Sequence, residues 1–188
     1  QCIGTDTIVQ GSHNSNYSSS MTRGWWFQAQ SSFTISSIMA SDDNTTSSLA
    51  TYQSVEIVDL GTSPAVAYPG PGGPHTVLFS AIDVPAGWIS CNASLVAGNY
   101  YGIIGAKHDP ASATMYNSYG PSGSQTFIID GNPTTITRFL LQSSLSSGSP
   151  SSGSYMSEAS GPIGRVHIIT GSGVTWYDVN TGQIIGSG

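Results

Sequence analysis

The chain holds two glutamates, Glu56 and Glu158, and four histidines, His13, His75, His108 and His167. Glycoside hydrolysis by a carboxylate pair needs the two groups to face each other across the scissile bond. Glu56 stands in a strand-like run and Glu158 in a serine-rich stretch, so the two are not read as such a couple. Glu56 is expected to be a strand carboxylate with an arginine partner. No histidine spacing matches a metal site. His167 shares a strand face with Arg165 and is expected in solvent. Lys107-His108-Asp109 is the densest ionisable group, and a turn before Pro110 accounts for it. There is no Gly-x-Ser-x-Gly elbow. Asp42-Asp43-Asn44 offers the carboxylate and amide oxygens that calcium takes, without EF-hand spacing. A plain loop is the competing reading. The chain is expected to be no enzyme and to hold no cofactor.

Cys2 and Cys91 allow one pairing, and in an exported chain a disulfide is the default expectation. A loop of that length would stabilise by roughly 4 kcal/mol on the chain-entropy model. Two unpaired thiols, or a bridge between subunits, are the alternatives. Three sequons make Asn16, Asn44 and Asn92 candidate glycosylation sites. With 50 serines and threonines in the chain, such triplets also arise by chance.

Composition narrows the classes. Charged residues make up 7%, against about 25% in an ordinary globular chain. The bases are Arg23, Lys107, Arg138 and Arg165, and the net charge is −6. A surface that neutralises phosphates cannot be built from these, which excludes nucleic acid as a partner. No apolar run reaches the length of a membrane span. A hydroxyl-rich, charge-poor surface goes with export, so a secreted, extracellular or cell-surface location is expected. The chain begins at Gln1 with no Met, and a mature product whose leader has been removed is expected.

These residues need a frame, and the frame reads as all-β. Leu95 to Ala106 is its centre: a Gly98-Asn99 turn, then Tyr100, Tyr101, Ile103 and Ile104 bounded by glycines. Tyr101 and Ile103 take one face and Tyr100 and Ile104 the other, so this strand is expected in the middle of a packed structure. Gly102 and Gly105 remove side chains where another backbone or ring comes close. Further strands are expected in Ile3–Gln10 (at an edge), from Arg23-Gly24-Trp25-Trp26-Phe27, and over Ser31–Ala40, Tyr52–Leu60 and Thr76–Val84. Met115–Tyr119, Gln125–Asp130, Thr134–Gln142 and Ile163–Thr170 complete the set. Gly11–Ser20 is expected to be a polar loop. Ser143–Ser160 is expected to be a long flexible loop, or to carry a short turn of helix near Tyr155–Ala159. No segment has a helical period, and about ten strands with frequent turns predict a jelly-roll-like antiparallel β-sandwich.

The sandwich is expected to occupy residues 1–170, with a linker and a C-terminal hairpin or strand over 171–188. Val174, Trp176, Tyr177, Val179, Ile184 and Ile185 give the hairpin an apolar pattern around Asn180-Thr181-Gly182. A lone hairpin is barely stable in water, so these residues need cover from this chain or another. They are the candidate assembly residues.

Arg23-Gly24-Trp25-Trp26-Phe27, Phe33-Thr34-Ile35, Gln53-Ser54-Val55-Glu56-Ile57-Val58, Gly102-Ile103-Ile104-Gly105, Thr137-Arg138-Phe139 and Ile163-Gly164-Arg165-Val166 carry a resemblance. Over about residues 21–170 the chain resembles a β-sandwich domain of exported bacterial surface proteins, often sorted by C-terminal signals of the PEP-CTERM type. The resemblance implies export and a surface or matrix location, and no catalytic residues. The chain departs from it in having the terminal hairpin and no sorting tail.

The expected function is therefore an extracellular structural one: a self-assembling β-sandwich subunit of a surface filament or matrix, joined by strand addition through the terminal segment. The partners would be further copies in a homo-oligomer or homopolymer. The alternative is a secreted carbohydrate-binding or adhesive module, favoured by four tryptophans and nine tyrosines, whose faces suit sugar rings. Core packing claims most such rings first.

Overall fold

A computed structural model describes residues 7–8, 11–43, 48–110, 112–171, 175–177 and 184–187. Along the chain run β1 (Thr7–Ile8), β2 (Ser15–Ser19), β3 (Thr22–Gln28), β4 (Phe33–Ala40), β5 (Tyr52–Gly61) and β6 (Thr76–Pro85). β7 (Ile89–Leu95), β8 (Tyr100–His108), β9 (Met115–Ser122), β10 (Gln125–Ile129) and β11 (Asn132–Leu141) follow. A 3₁₀ turn, Leu145–Ser147, precedes β12 (Tyr155–Glu158), β13 (Pro162–Gly164) and β14 (Val166–Thr170). Last come β15 (Thr175–Tyr177) and β16 (Ile184–Ser187). The protein is an all-β antiparallel sandwich, as expected from the strand pattern.

One sheet is small, ordered β1-β14-β4-β7. The other is large and curled: β10-β11-β3-β8-β5-β6, extended by β12 on β11 and by β9, with β2 and β13, on β8. β8 lies between β3 and β5, which is why it is apolar on both faces. Register carries one inward row across four strands: Trp25, Ile103, Ile57 and Phe79 stand opposite one another in turn. These residues meet Ile35, Ile38, Val166 and Ile168 of the small sheet in the main core. Trp25 anchors the two layers by donating Nε1–H to the Val166 carbonyl at 3.0 Å.

The opposite face of the large sheet is also covered. Val58, Ile104, Ala106, Met115, Phe139, Leu141, Leu145 and Tyr155 form a second core there. The apolar residues are correspondingly divided. Trp25, Phe27, Ile35, Val55, Ile57, Tyr101, Ile103, Val166 and Ile168 are buried between the sheets, while Phe33, Phe79 and Phe127 are half-buried at the margin. Phe139 faces the other way, into the second core. Gly102 makes room for it: a Cβ there would lie 2.6 Å from Phe139 Cζ. A Cβ on Gly105 would lie 2.7 Å from the Ser54 carbonyl oxygen, so close strand approach forbids one there too.

Three expectations about segments need correction. Residues 11–20 are not all loop, because β2 pairs along β9 from Ser15↔Tyr119 to Ser19↔Met115. The 143–160 stretch is neither wholly flexible nor helical near Tyr155. Its Tyr155–Glu158 part pairs with Arg138–Leu141, adding apolar Tyr155 and Met156 to the sheet. His167 and Arg165 are buried rather than solvated, at 5% and 7% exposure. The Trp88 ring stands 6.4 Å from the His167 ring. Asp130-Gly131 makes the turn between β10 and β11, with φ of 49° and 75°.

Candidate functional site

Strand β5 brings most of the ionisable chemistry together. Alternation sends Val55 and Ile57 into the main core and Ser54, Glu56 and Val58 to the other face. Glu56 is fully buried, opposite Ile104 on one side and Ser80 on the other. It has no arginine partner, contrary to expectation. Its Oε1 accepts the Ser80 hydroxyl at 2.9 Å and the Ser149 hydroxyl, and its Oε2 accepts the Tyr155 hydroxyl. Three hydroxyl donors stand in for a cation. Burial and the adjacent carboxylate push the Tyr155 pKa upward. His75 meets the Tyr155 ring edge-on at 4.7 Å, and burial pushes its pKa down. Glu158, not Glu56, takes the arginine: Arg138 Nη1 lies 3.2 Å from its Oε2. The two glutamates are thus engaged separately.

Ser54, His108 and Asp83 stand in the order of a nucleophile triad. Ser54 Oγ is 3.0 Å from His108 Nε2, and Asp83 Oδ1 is 3.9 Å from Nδ1. A cavity of about 220 Å3 adjoins His108 and Asp83. The geometry nevertheless denies nucleophilic work. Ser54 is fully buried and accepts the Asp83 backbone N–H at 3.0 Å. His108 Nδ1 sits 3.2 Å from the Asp109 carbonyl oxygen. That network assigns the ring proton to Nδ1 and leaves Nε2 to accept the Ser54 hydroxyl. A nucleophile must reach its substrate, and this hydroxyl is pinned inside the sheet.

The calcium candidate resolves into an ion pair. Asp43 binds Arg165 Nη1 through Oδ2, and its Oδ1 accepts hydroxyls from Ser41 and from Ser118, the latter at 2.6 Å. Arg165 Nη1 also reaches Ser41 Oγ at 3.1 Å and Ser118 Oγ at 3.2 Å. Asn44 lies outside the described residues. Arg23 is consumed as well, donating to the Thr22 and Leu141 carbonyls at 3.0 and 2.9 Å. Among the described residues, no group of three or more His, Cys, Asp or Glu could hold a metal ion. No helix among them is long and apolar enough to cross a membrane.

Among the described residues Cys91 is a free thiol. Its Sγ donates to the Ile35 carbonyl at 3.3 Å, and burial pushes its pKa to about 11. Cys2 lies outside the described residues. Of the sequons, Asn92 is exposed on edge strand β7, while Asn16 is half-buried and its Oδ1 lies 2.7 Å from His13 Nε2. Among the assembly candidates, Trp176 and Tyr177 belong to β15 and Ile184 and Ile185 to β16. The two strands pair antiparallel, Thr175↔Ser187 to Tyr177↔Ile184. Val174 and Val179 lie outside the described residues.

The residues that sequence reasoning missed lie on the outer face of β3 and its neighbours. Trp26, Gln28, Gln30, Tyr100, Thr135 and Thr137, with Pro133, line a cavity of about 380 Å3. The signal was present in the alternation of Trp26, Gln28 and Gln30, opposite in phase to Trp25 and Phe27. No protein-family model matches this chain, and none of the curated proteins matches it.

Proposed function

We propose that the chain is an extracellular, non-catalytic β-sandwich subunit of a surface filament or matrix, and that its terminal segment joins one copy to the next. One observation carries this reading. β15 and β16 pair with each other in a two-stranded sheet of their own, while β14 is already an inner strand of the small sheet, between β1 and β4. The sandwich therefore completes its pairing without the hairpin. Among the described residues, edge strands β6 and β7 each have a partner on one side only, and an added strand would satisfy the backbone groups on the other side. Such a contact repeated head to tail does not close on itself. Supporting it, the polar groups that could do chemistry are tied up in internal networks around Glu56, His108 and Arg165. The low charge and hydroxyl-rich composition support a secreted location.

Deleting Val174–Gly188 tests the proposal. Sedimentation and negative-stain microscopy should show the full chain associating as concentration rises and the truncated chain remaining monomeric. A truncated chain that assembles like the full one refutes the role of the tail, and a full chain that stays monomeric refutes assembly. The alternative, a carbohydrate-binding or adhesive module, is favoured by the groove on β3.

A further inference from the structure

We propose that the outer groove over β11, β3 and β8 binds a neutral saccharide. It is built by register. Thr137 stands opposite Trp26, which stands opposite Gly102, and Gln28 stands opposite Tyr100. Gly102 carries no side chain, and the ring packed over it is Phe139 of the second core. Trp26 and Tyr100 lie 5.8 Å apart, inclined at 52°, and so form two angled walls. Both are only partly buried, whereas Trp25 and Tyr101, one residue before Trp26 and one after Tyr100, are enclosed in the main core.

The polar lining suits hydroxyls. Gln28 donates its Nε2 to the Gly98 carbonyl at 2.9 Å and Gln30 donates its Nε2 to the Gln28 carbonyl at 3.0 Å. Each amide is thereby fixed by its nitrogen, and among the described residues no donor is bonded to either Oε1. Thr135 is exposed, and Thr137 shares a hydrogen bond with Ser124 at 2.9 Å. Trp26 Nε1 is buried with no acceptor. No charged side chain lines the groove, so nothing in it would repay desolvation of an ionic ligand. A pyranose ring matches this inventory. Its C–H face carries slight positive charge and lies well on the negative face of an aromatic ring, and its hydroxyls reach amide and threonine oxygens at the edge. The 380 Å3 cavity is at the small end of ligand sites, which run from roughly 300 to 1,000 Å3. That is room for a short stretch of a chain, consistent with an open sheet face.

The test is an array of neutral and acidic oligosaccharides probed with the full chain, with a peptide library beside it. Calorimetry then follows on the best neutral binder. A neutral oligosaccharide should be retained, and Tyr100→Ala or Trp26→Ala should weaken it about tenfold or more, as expected for the loss of a stacked face. Trp26 also touches the second core, so Gln30→Ala and Thr135→Ala, at exposed positions, give the same reading without risk to folding; each should weaken binding several-fold. Retention of only acidic glycans, of only peptides, or of nothing overturns the proposal. So does neutral-sugar binding that all four substitutions leave unchanged.

Discussion

Replacing Tyr155 by Phe isolates the bond that closes the Glu56 network. The ring would stay in place, stacked on Phe139 at 4.9 Å and 21° and edge-on to His75 at 4.7 Å. Only the hydroxyl that donates to Glu56 Oε2 would go. Hydrogen bonds to charged groups contribute about 1.5–3 kcal/mol. Glu56 and Tyr155 are both nearly inaccessible, at 0% and 1% exposure, so water cannot replace the lost donor and the upper half of that range applies. For a domain of this size the melting temperature should fall by roughly 5–12 °C. The assay is urea unfolding followed by tryptophan fluorescence at neutral pH, in wild type and variant. A second background sharpens it. With Glu56→Gln the acceptor is neutral, and the same Tyr155→Phe change should then cost only about 0.5–1.5 kcal/mol. A loss below about 0.5 kcal/mol in the Glu56 background, or an equal loss in both, would show that the hydroxyl is not bonded to a buried carboxylate.

Ile103→Ala removes a fully buried side chain at the centre of the inward row and should cost roughly 2–5 kcal/mol in urea unfolding; a change under about 0.5 kcal/mol would put Ile103 on the surface and undo the register. His75 and His167 are both held below their ordinary value of 6.5, first by burial, so the folded chain resists a proton that the unfolded chain accepts. Stability should therefore be intact above pH 6.5 and decline as pH falls below it, and His167→Gln should flatten the decline; urea midpoints that stay level from neutral to mildly acid pH reject this. Burial raises the Cys91 thiol from 9.0 to about 11, which at mildly alkaline pH lowers its thiolate about a hundredfold. Iodoacetamide should modify Cys91 slowly in the folded protein and fast in urea, and equal rates would place the thiol in solvent.

The strands were legible where alternation was strong and local. Phe33, Ile35 and Met39 declare one face of β4 by alternation, though a register shift after Ile35 buries Ile38 in place of Met39, and Asp130-Gly131 declares a turn whose backbone only that kind of pair adopts easily. β8 was legible for a different reason: apolar residues on both faces leave no position for it except the interior. The second core was not legible. Its cover is the 62–75 and 143–155 segments, whose Pro, Gly and Ser read as solvated connections. They lie on the sheet because a few residues within or beside them, Ala65, Leu145 and Tyr155, are apolar and find Val58 and Phe139 beneath. Such long-range contact leaves no period in the sequence. β2 escaped notice for the same reason, since Ser15-Asn16-Tyr17-Ser18-Ser19 is polar and its strand pairing is with the distant β9.

The polar chemistry shows the limit more sharply. Glu56 is a lone carboxylate in an apolar run, and a partner of opposite charge is the cheapest assumption. The structure uses hydroxyls instead, one from the neighbouring strand and two from residues more than ninety positions away. Serine and tyrosine are so common in this chain that no spacing could have singled out Ser149 and Tyr155. The same abundance explains Asp43, which a cation-seeking reading gives to calcium and the fold gives to Arg165. In a protein with 7% charged residues, Glu56 and Asp43 are both met by hydroxyls inside the fold, while Asp42 and Asp83 stay exposed. The Trp26 groove and edge strand β7 have in common that neither carries a charged side chain. A neutral sugar or another strand of the same kind can approach either one without displacing an ion.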